Sequence, residues 1–247
     1  MTMKLYSEES IQNIANAIRS KNGESTQYKV GEMSQAILDI PSGGGGVSWD
    51  DIAARTFVGD IVIPNATTIK AQTIYQAPYV TSVSAPNVTS LGGSAIYGNT
   101  GLTSINLPNL VTSGNYGLAR NTSTNLMAIV LPKMTTTGTY LLEWVKATLD
   151  FTDLSVLVTN SLRSWYGQTL ILRKSDAICT LNATGAFTGT VFASGGTGGT
   201  LYVPQALIST YQSATNWSTI LGYEHNQILP IDGSIYETQY ADGTPIE

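Results

Sequence analysis

Among 247 residues there is one histidine, His225, and one cysteine, Cys179. Nucleophile–imidazole pairs and His/Cys metal sets therefore have almost nothing to draw on. A Ser-His-Asp triad would hang on His225, which reads more plainly as a surface or cap residue. Cys179, in "AICTL", reads as a small buried hydrophobe, and a single thiol supplies neither an intrachain disulfide nor a CxxC metal pair. The run "GGTGG", 195–199, has no lysine after it and leads into strand-like "LYV", so it is a loop rather than a phosphate cradle. A glycosidase needs two carboxyl groups facing across a cleft. Glu143, Asp150, Asp153 and Asp176 lie near the middle of the chain, but nothing in their order brings two together, and they read as solvated turn residues. The expectation is a protein without catalytic residues, metal or cofactor.

Aromatic side chains are the better candidates for recognition. Tyr75, Tyr97, Tyr116, Tyr140, Trp144, Trp165 and Tyr166 stand among Ser, Thr and Asn, and rings with polar tips in such company suit sugars, which offer both apolar faces and hydroxyls. The competing reading is that several of them fill the core or bury against a neighbouring subunit. The Asn-x-Ser/Thr triplets at Asn65, Asn87, Asn121, Asn182 and Asn216 read as turn and ladder residues.

What must position these residues is a repeat. "GDIVIPNATT", "TSVSAPNVTS", "TSINLPNLVTS" and "MAIVLPKMTT" return after 22, 22 and 24 residues, a spacing that points to a solenoid. Aligned on Pro64, Pro86, Pro108 and Pro132, the pattern is apolar-x-x-apolar-x-apolar-Pro: Val58, Ile61, Ile63; Val80, Val83, Ala85; Leu102, Ile105, Leu107; Leu126, Ile129, Leu131. Alternation puts the last two apolar side chains on one face of a short strand, and proline, having no N–H to donate, ends it. Ten residues after each proline comes Ile74, Ile96, Leu118 or Leu142; five after come Ile69 and Leu91, then Ser113 and Thr137. Tyr75 and Tyr97 stand 11 residues after their prolines, so stacking aligns them. Beyond Pro132 the motif decays: Leu149 and Phe151 precede Thr152, and Leu170 and Leu172 precede Arg173, before Leu201, Val203 and Pro204 restore it.

Residues 1–40 read as a helical attachment module, with Ile11, Ile14 and Ile18 on one helix face and Met33 and Ile37 on a second. So short a hairpin cannot bury enough surface alone, so these residues are expected to pack against copies or a partner. Glycines in 41–46 form a linker, 47–200 the repeat solenoid, and 201–247 a strand-plus-helix cap and a tail that forms a hairpin or frays. The expected fold is mainly β: a solenoid of short parallel strands between a small N-terminal helical hairpin and that cap.

Charged residues are only 12% of the chain, with a net charge of −5 and no Lys/Arg cluster, which removes the usual electrostatic term for nucleic acid. No stretch is long and apolar enough to span a membrane. The N-terminus does not read as a secretory signal, so the expectation is synthesis in a host cytoplasm without a signal peptide.

The units "LTSINLPNL" with the closing "LYVPQALISTYQSATNW" resemble BspA-like (Treponema pallidum-type) leucine-rich repeats over about residues 58–220. Ile74/Tyr75 and Ile96/Tyr97 stand where that family has an aromatic-containing half-repeat. "SIQNIANAIRSKNGESTQYKVGEMSQAILDIPSGGGG" resembles a short N-terminal module of tail-fibre and baseplate proteins from phages of Gram-positive hosts. Together the resemblances imply a leucine-rich-repeat-type solenoid in a virion: a phage tail fibre, tail-tip or baseplate component. They further imply attachment to other tail proteins through the N-terminal module; with the self-insufficient hairpin, the glycine joint and the aromatic-rich array, the expectation is self-association with a trimer favoured and recognition of a cell-surface glycan or protein by the repeats. A bacterial surface adhesin and a tail-associated polysaccharide depolymerase are the alternatives.

Overall fold

The computed structural model describes residues 11–12, 14–16 and 47–246. Its strands are β1 (Gly59–Val62), β2 (Thr68–Ile69), β3 (Ile74–Tyr75), β4 (Val80–Ser84), β5 (Ser90–Leu91), β6 (Ile96–Tyr97), β7 (Ser104–Asn106), β8 (Thr112–Ser113), β9 (Ala128–Val130), β10 (Thr148–Phe151), β11 (Val156–Leu157), β12 (Thr169–Leu172), β13 (Thr180–Leu181), β14 (Thr200–Val203) and β15 (Gln227–Pro230). Short helices α1 (Trp49–Ala53), α2 (Ile208–Ser213) and α3 (Trp217–Leu221) flank them. The chain is a β-solenoid of parallel strands, about six turns long.

Three faces wind around one apolar interior. The first carries β1-β4-β7 and then β9-β10-β12-β14-β15. The second carries β2-β5-β8 and, through bridges Thr112↔Thr136 and Thr136↔Val156, β11-β13. The third begins as β3-β6 and continues as a backbone ladder, with N–H groups of Ile96, Leu118 and Leu162 donating to Gly117, Leu141 and Ala186 at 2.9, 3.1 and 3.1 Å. Ile61, Val83 and Ile105 lie in register, as do Ile129, Leu149, Leu170 and Leu201, and all are buried. Each such side chain contributes about 1.5–3 kcal/mol on burial, and it is the neighbouring coils that bury it. The decayed coils thus keep the inward alternation even though their proline is gone.

Val58 departs from the expected pattern and is 74% exposed. A register shift between Gly59 and Asp60 sets Gly59 opposite Val80, and Gly59 has φ +112, so Val58 slips out of the column. A one-residue slip reverses a strand's facing. At this end α1 acts as a lid that the periodicity does not reveal: Ser48 Oγ accepts from Asp51 N–H at 3.1 Å, and Ile52 is buried.

The other end explains why "YQSATNW" has its composition. The last strand of the second face, β13, would leave its outer edge open, and an open edge invites unwanted pairing. Instead Tyr211 Oη accepts from Cys179 N–H at 2.8 Å, Trp217 Nε1 donates to Cys179 O at 2.7 Å, and Asn216 Nδ2 donates to Leu181 O at 2.8 Å. Cys179 is buried as expected, and burial pushes its thiol up to about 12.

The tail docks rather than frays. Turns at Asp232-Gly233 and Asp242-Gly243 form, and Gln239 pairs with Pro245. Arg173 Nε and Nη2 donate to both oxygens of the buried Asp150 at 2.6 and 2.7 Å, and Ala241 N–H donates to Asp150 at 2.9 Å. Burial pushes the Asp150 carboxyl up, against the opposing pull of Arg173 and the Ala241 amide. Arg173 also donates to the carbonyls of Tyr236 and Gln239, at 2.5 and 3.0 Å, which clasps the tail. Asp150 and Ile171 face outward, in register, yet both are fully buried.

Of the expected assembly residues, Ile11 and Ile14 are helical, and Ile14 is 44% exposed. Ile18, Met33, Ile37 and the glycine linker lie outside the described residues.

Removing one partner of a buried ion pair strands the other charge. Asp150→Ala should therefore lower unfolding free energy by about 3–5 kcal/mol in a denaturant titration and release the tail to proteolysis; a change under about 1 kcal/mol would show that the clasp contributes little.

Candidate binding face

The third face turns at two corners, and both use left-handed backbone at the same place in successive coils. Gln72, Ser94, Tyr116, Tyr140 and Asn160 have φ between 53 and 59 at the first; Gln76, Gly98, Arg120, Trp144, Ser164 and Gly189 have φ between 53 and 72 at the second. Such values are uncommon for bulky residues. Because glutamine and serine adopt them too, the corner imposes the conformation, and Tyr116, Tyr140 and Trp144 are placed by it.

Inside the second corner the Asn column does the polar work. Asn99 and Asn121 are fully buried; Asn99 Oδ1 accepts from Ala77 N–H, and Asn121 Oδ1 from Asn99 N–H, both at 2.9 Å. Their Nδ2 groups donate to Ile74 O and Ile96 O at 3.0 and 2.9 Å. Asn121 is thus the ladder residue that the sequence suggests. Ala119, which follows Tyr75 and Tyr97 in the 22-residue period, is small and fully buried.

Coil stacking then brings four tyrosines into one strip. Tyr75 and Tyr97 stack at 5.0 Å with planes 5° apart; Tyr116 and Tyr140 stack at 4.8 Å and 2°. Tyr97 meets Tyr116 edge-on at 6.5 Å. The stacked separations match the spacing of adjacent strands, about 4.8 Å, so the backbone sets them. Arg120 joins the two halves: its guanidinium lies 4.1 Å from the Trp144 ring and 5.6 Å from Tyr97, and its Nε donates to Glu143 at 2.9 Å. That hydrogen bond pushes the Arg120 pKa up. Arg163 lies over Tyr140 at 5.8 Å. Burial raises the phenol pKa values of Tyr97 and Tyr116, so the hydroxyls stay protonated donors at neutral pH.

Two of the expected residues fall elsewhere. Trp165 is fully buried, donates Nε1–H to Ala147 O at 3.1 Å and stacks on Phe192 at 6.0 Å. It is a core residue and leaves the ligand-binding set. Tyr166 is 50% exposed, but no ring contact joins it to the strip among the described residues. Tyr75, Tyr97, Tyr116, Tyr140 and Trp144 remain together. The signal for Arg120 and Glu143 was weak in sequence, since their pairing spans 23 residues.

The geometry also decides which parts of the rings are open. Stacking occupies one face of each ring, and Tyr97, Tyr116 and Tyr140 have a further ring or guanidinium nearby, so what these three present is largely edges and phenol hydroxyls. Trp144, 40% exposed with Arg120 on one side, is the exception.

Asp150 and Glu143 are not the solvated turn residues that their order suggests. Asp150 lies under the tail, Glu143 is bound to Arg120, and Asp176 is exposed 3.8 Å from Lys174. His225 Nε2 lies 3.1 Å from Ala193 O in the cap. Residues 195–199 lead from a turn into β14, with a Cβ on Gly199 falling 2.3 Å from the Phe192 ring. Among the described residues no cluster of His, Cys, Asp and Glu could hold a metal ion, and no helix is long and apolar enough to cross a membrane. No family model matches the chain, and no curated protein matches it.

Core and surface tryptophans should separate cleanly. Trp165→Ala should cost about 3–5 kcal/mol in a denaturant titration, while Trp144→Ala should cost less than about 1 kcal/mol; equal losses would contradict the division.

Proposed function

We propose that the chain is a non-catalytic structural component of a phage tail, in a fibre, tip or baseplate, whose solenoid recognises a cell-surface glycan or protein. The observation that carries the recognition half is the strip Tyr75–Tyr97–Tyr116–Tyr140 with Arg120 and Trp144, which runs along the solenoid axis over three coil-to-coil steps, about 14 Å. An extended ligand fits that length, and a row of hydroxyl donors with two guanidinium groups suits one rich in oxygen.

Supporting the structural half is the resemblance of residues 10–46 to phage attachment modules, together with helical Ile14, which keeps an exposed apolar side chain. A particle-bound spacer gains from a rigid solenoid. In it the nearest-neighbour contacts of every coil hold the strip in place without a conformational cost on binding. Glu143 and Asp150, the carboxylates that a depolymerase reading would use, are each committed to an arginine.

The test is binding of fluorescently labelled full-length protein to isolated Gram-positive cell walls, with Tyr97→Ala/Trp144→Ala beside the parent. The double variant should bind about tenfold or more weakly, as central aromatic anchors do, with no reducing ends released by either protein. Undiminished binding would remove the strip from the account, and release of reducing ends would replace it with the depolymerase reading.

A further inference from the structure

Two arginine–carboxylate pairs tie coils of this solenoid together, and they are built differently. Arg173 meets Asp150 through Nε and Nη2 and donates to the carbonyls of Tyr236 and Gln239, so four of its five N–H groups are engaged inside the fold. Arg120 meets Glu143 through Nε alone, at 2.9 Å, and among the described residues its four Nη N–H bonds have no partner. The first pair is closed, with side chains 8% and 0% exposed; the second is open on the arginine side, at 38% against 13% for Glu143.

The open guanidinium is also held in place. Left-handed backbone at the second corner sets where Arg120 leaves the chain, and its guanidinium lies 4.1 Å from the Trp144 ring and 5.6 Å from Tyr97. A planar fork fixed by an aromatic face and by a carboxylate on Nε gives up little freedom on binding, and its free edge matches a phosphate or carboxylate. A second cation stands near. Arg120 N–H donates to Glu143 O and Trp144 N–H to Ser164 O, so the coil of Tyr140 and Trp144 lies between that of Arg120 and that of Arg163. The Arg163 guanidinium lies 5.8 Å from the Tyr140 ring, and among the described residues it is in no ion pair. Two coil steps separate the backbones of the two arginines, about 10 Å along the axis. The ionised groups that act on the Tyr116 phenol are Glu143, Arg120 and Arg163, two cations against one carboxylate. This stretch of surface is therefore cationic on a chain whose net charge is −5.

We propose that the ligand of the strip is acidic: a sugar or polyol chain bearing phosphate or carboxylate groups, one of which seats on the Nη edge of Arg120 while Arg163 meets another. This rests on the reading of the strip as the recognition face, and it narrows a ligand rich in oxygen to one that is negatively charged. The half-open Trp144 ring and the phenol hydroxyls beside the fork favour a sugar chain over an acidic peptide, since a sugar offers an apolar ring face and hydroxyls together. Two cations on an acidic protein are too few to hold the dense phosphates of a nucleic acid.

The experiment is a fluorescence-polarisation titration of the full-length chain with labelled dextran, carboxymethyl-dextran and dextran phosphate, which share one neutral backbone. At least one charged dextran should bind about tenfold or more tightly than dextran itself, as hydrogen bonds to an ionised group imply, and the two charged forms distinguish carboxylate from phosphate. Raising salt from about 0.1 M to about 1 M shortens screening from about 10 Å to about 3 Å and should weaken that binding. Arg120→Gln should remove most of the preference, and Arg120→Lys should restore only part of it, because an ammonium keeps the charge without the fork. Arg163→Gln breaks no ion pair; it should also reduce the preference, and it serves if the Arg120 variants fail to fold. Lys133→Gln, at the turn between the first and second faces, should change nothing. Equal or absent binding of the charged dextrans, a preference that survives both Arg120→Gln and Arg163→Gln, or one lost equally in Lys133→Gln would overturn the proposal. Tighter binding of poly-glutamate than of either charged dextran would overturn it in favour of an acidic peptide. In each of those cases, cell walls that still bind the parent but not Tyr97→Ala/Trp144→Ala would leave the strip as the recognition face and remove only the charge of its ligand.

Discussion

Every feature of this molecule depends on one constraint: a coil of about 22 residues cannot cover its own apolar side, so each coil must be closed by the next. The register Ile61–Val83–Ile105, continued by Ile129–Leu149–Leu170–Leu201, is that constraint made visible. It also dictates what happens at the ends. There is no further coil to lay beside β13, so Tyr211, Asn216 and Trp217 bond the peptide groups that a coil would have bonded. At the opposite end α1 buries Ile52.

The same stacking makes the surface chemistry. A residue repeated at one point of the coil reappears at about the strand spacing, so tyrosines become a stack and asparagines a ladder without any dedicated scaffold. Stacking also limits the site, since each stacked ring gives up one face to its neighbour. What the strip leaves open is therefore hydroxyls, ring edges and the cations of Arg120 and Arg163, with Trp144 as its most open ring. The Arg120–Glu143 pair ties two adjacent coils together beside those rings.

Much of this was legible in the order of residues. The proline-aligned period carries the strands, the inward columns and the solenoid, and the Tyr/Trp-containing closing motif carries the cap. What was not legible required knowledge of register or of distant contact. Tyr116 and Tyr140 follow their prolines by a different count from Tyr75 and Tyr97, so only the corner geometry shows that all four share a face. Trp165 and Trp144 look alike in sequence, yet one donates to Ala147 O in the core and the other lies open. Val58 kept the pattern and lost its burial to a bulge at Gly59. Arg173 looked like decay of a motif, whereas its departure from proline lets the tail, more than 60 residues further on, dock on the sheet.

The central claim is that the strip is free to meet a ligand in the assembled protein and is not a contact between subunits. The direct measurement is the mass of the full-length chain by light scattering beside its Tyr97→Ala/Trp144→Ala variant at equal concentration. The account predicts the same discrete mass for both, because it assigns self-association to the N-terminal module. A variant that falls to the monomer mass while the parent stays oligomeric would make the strip a subunit interface and contradict it.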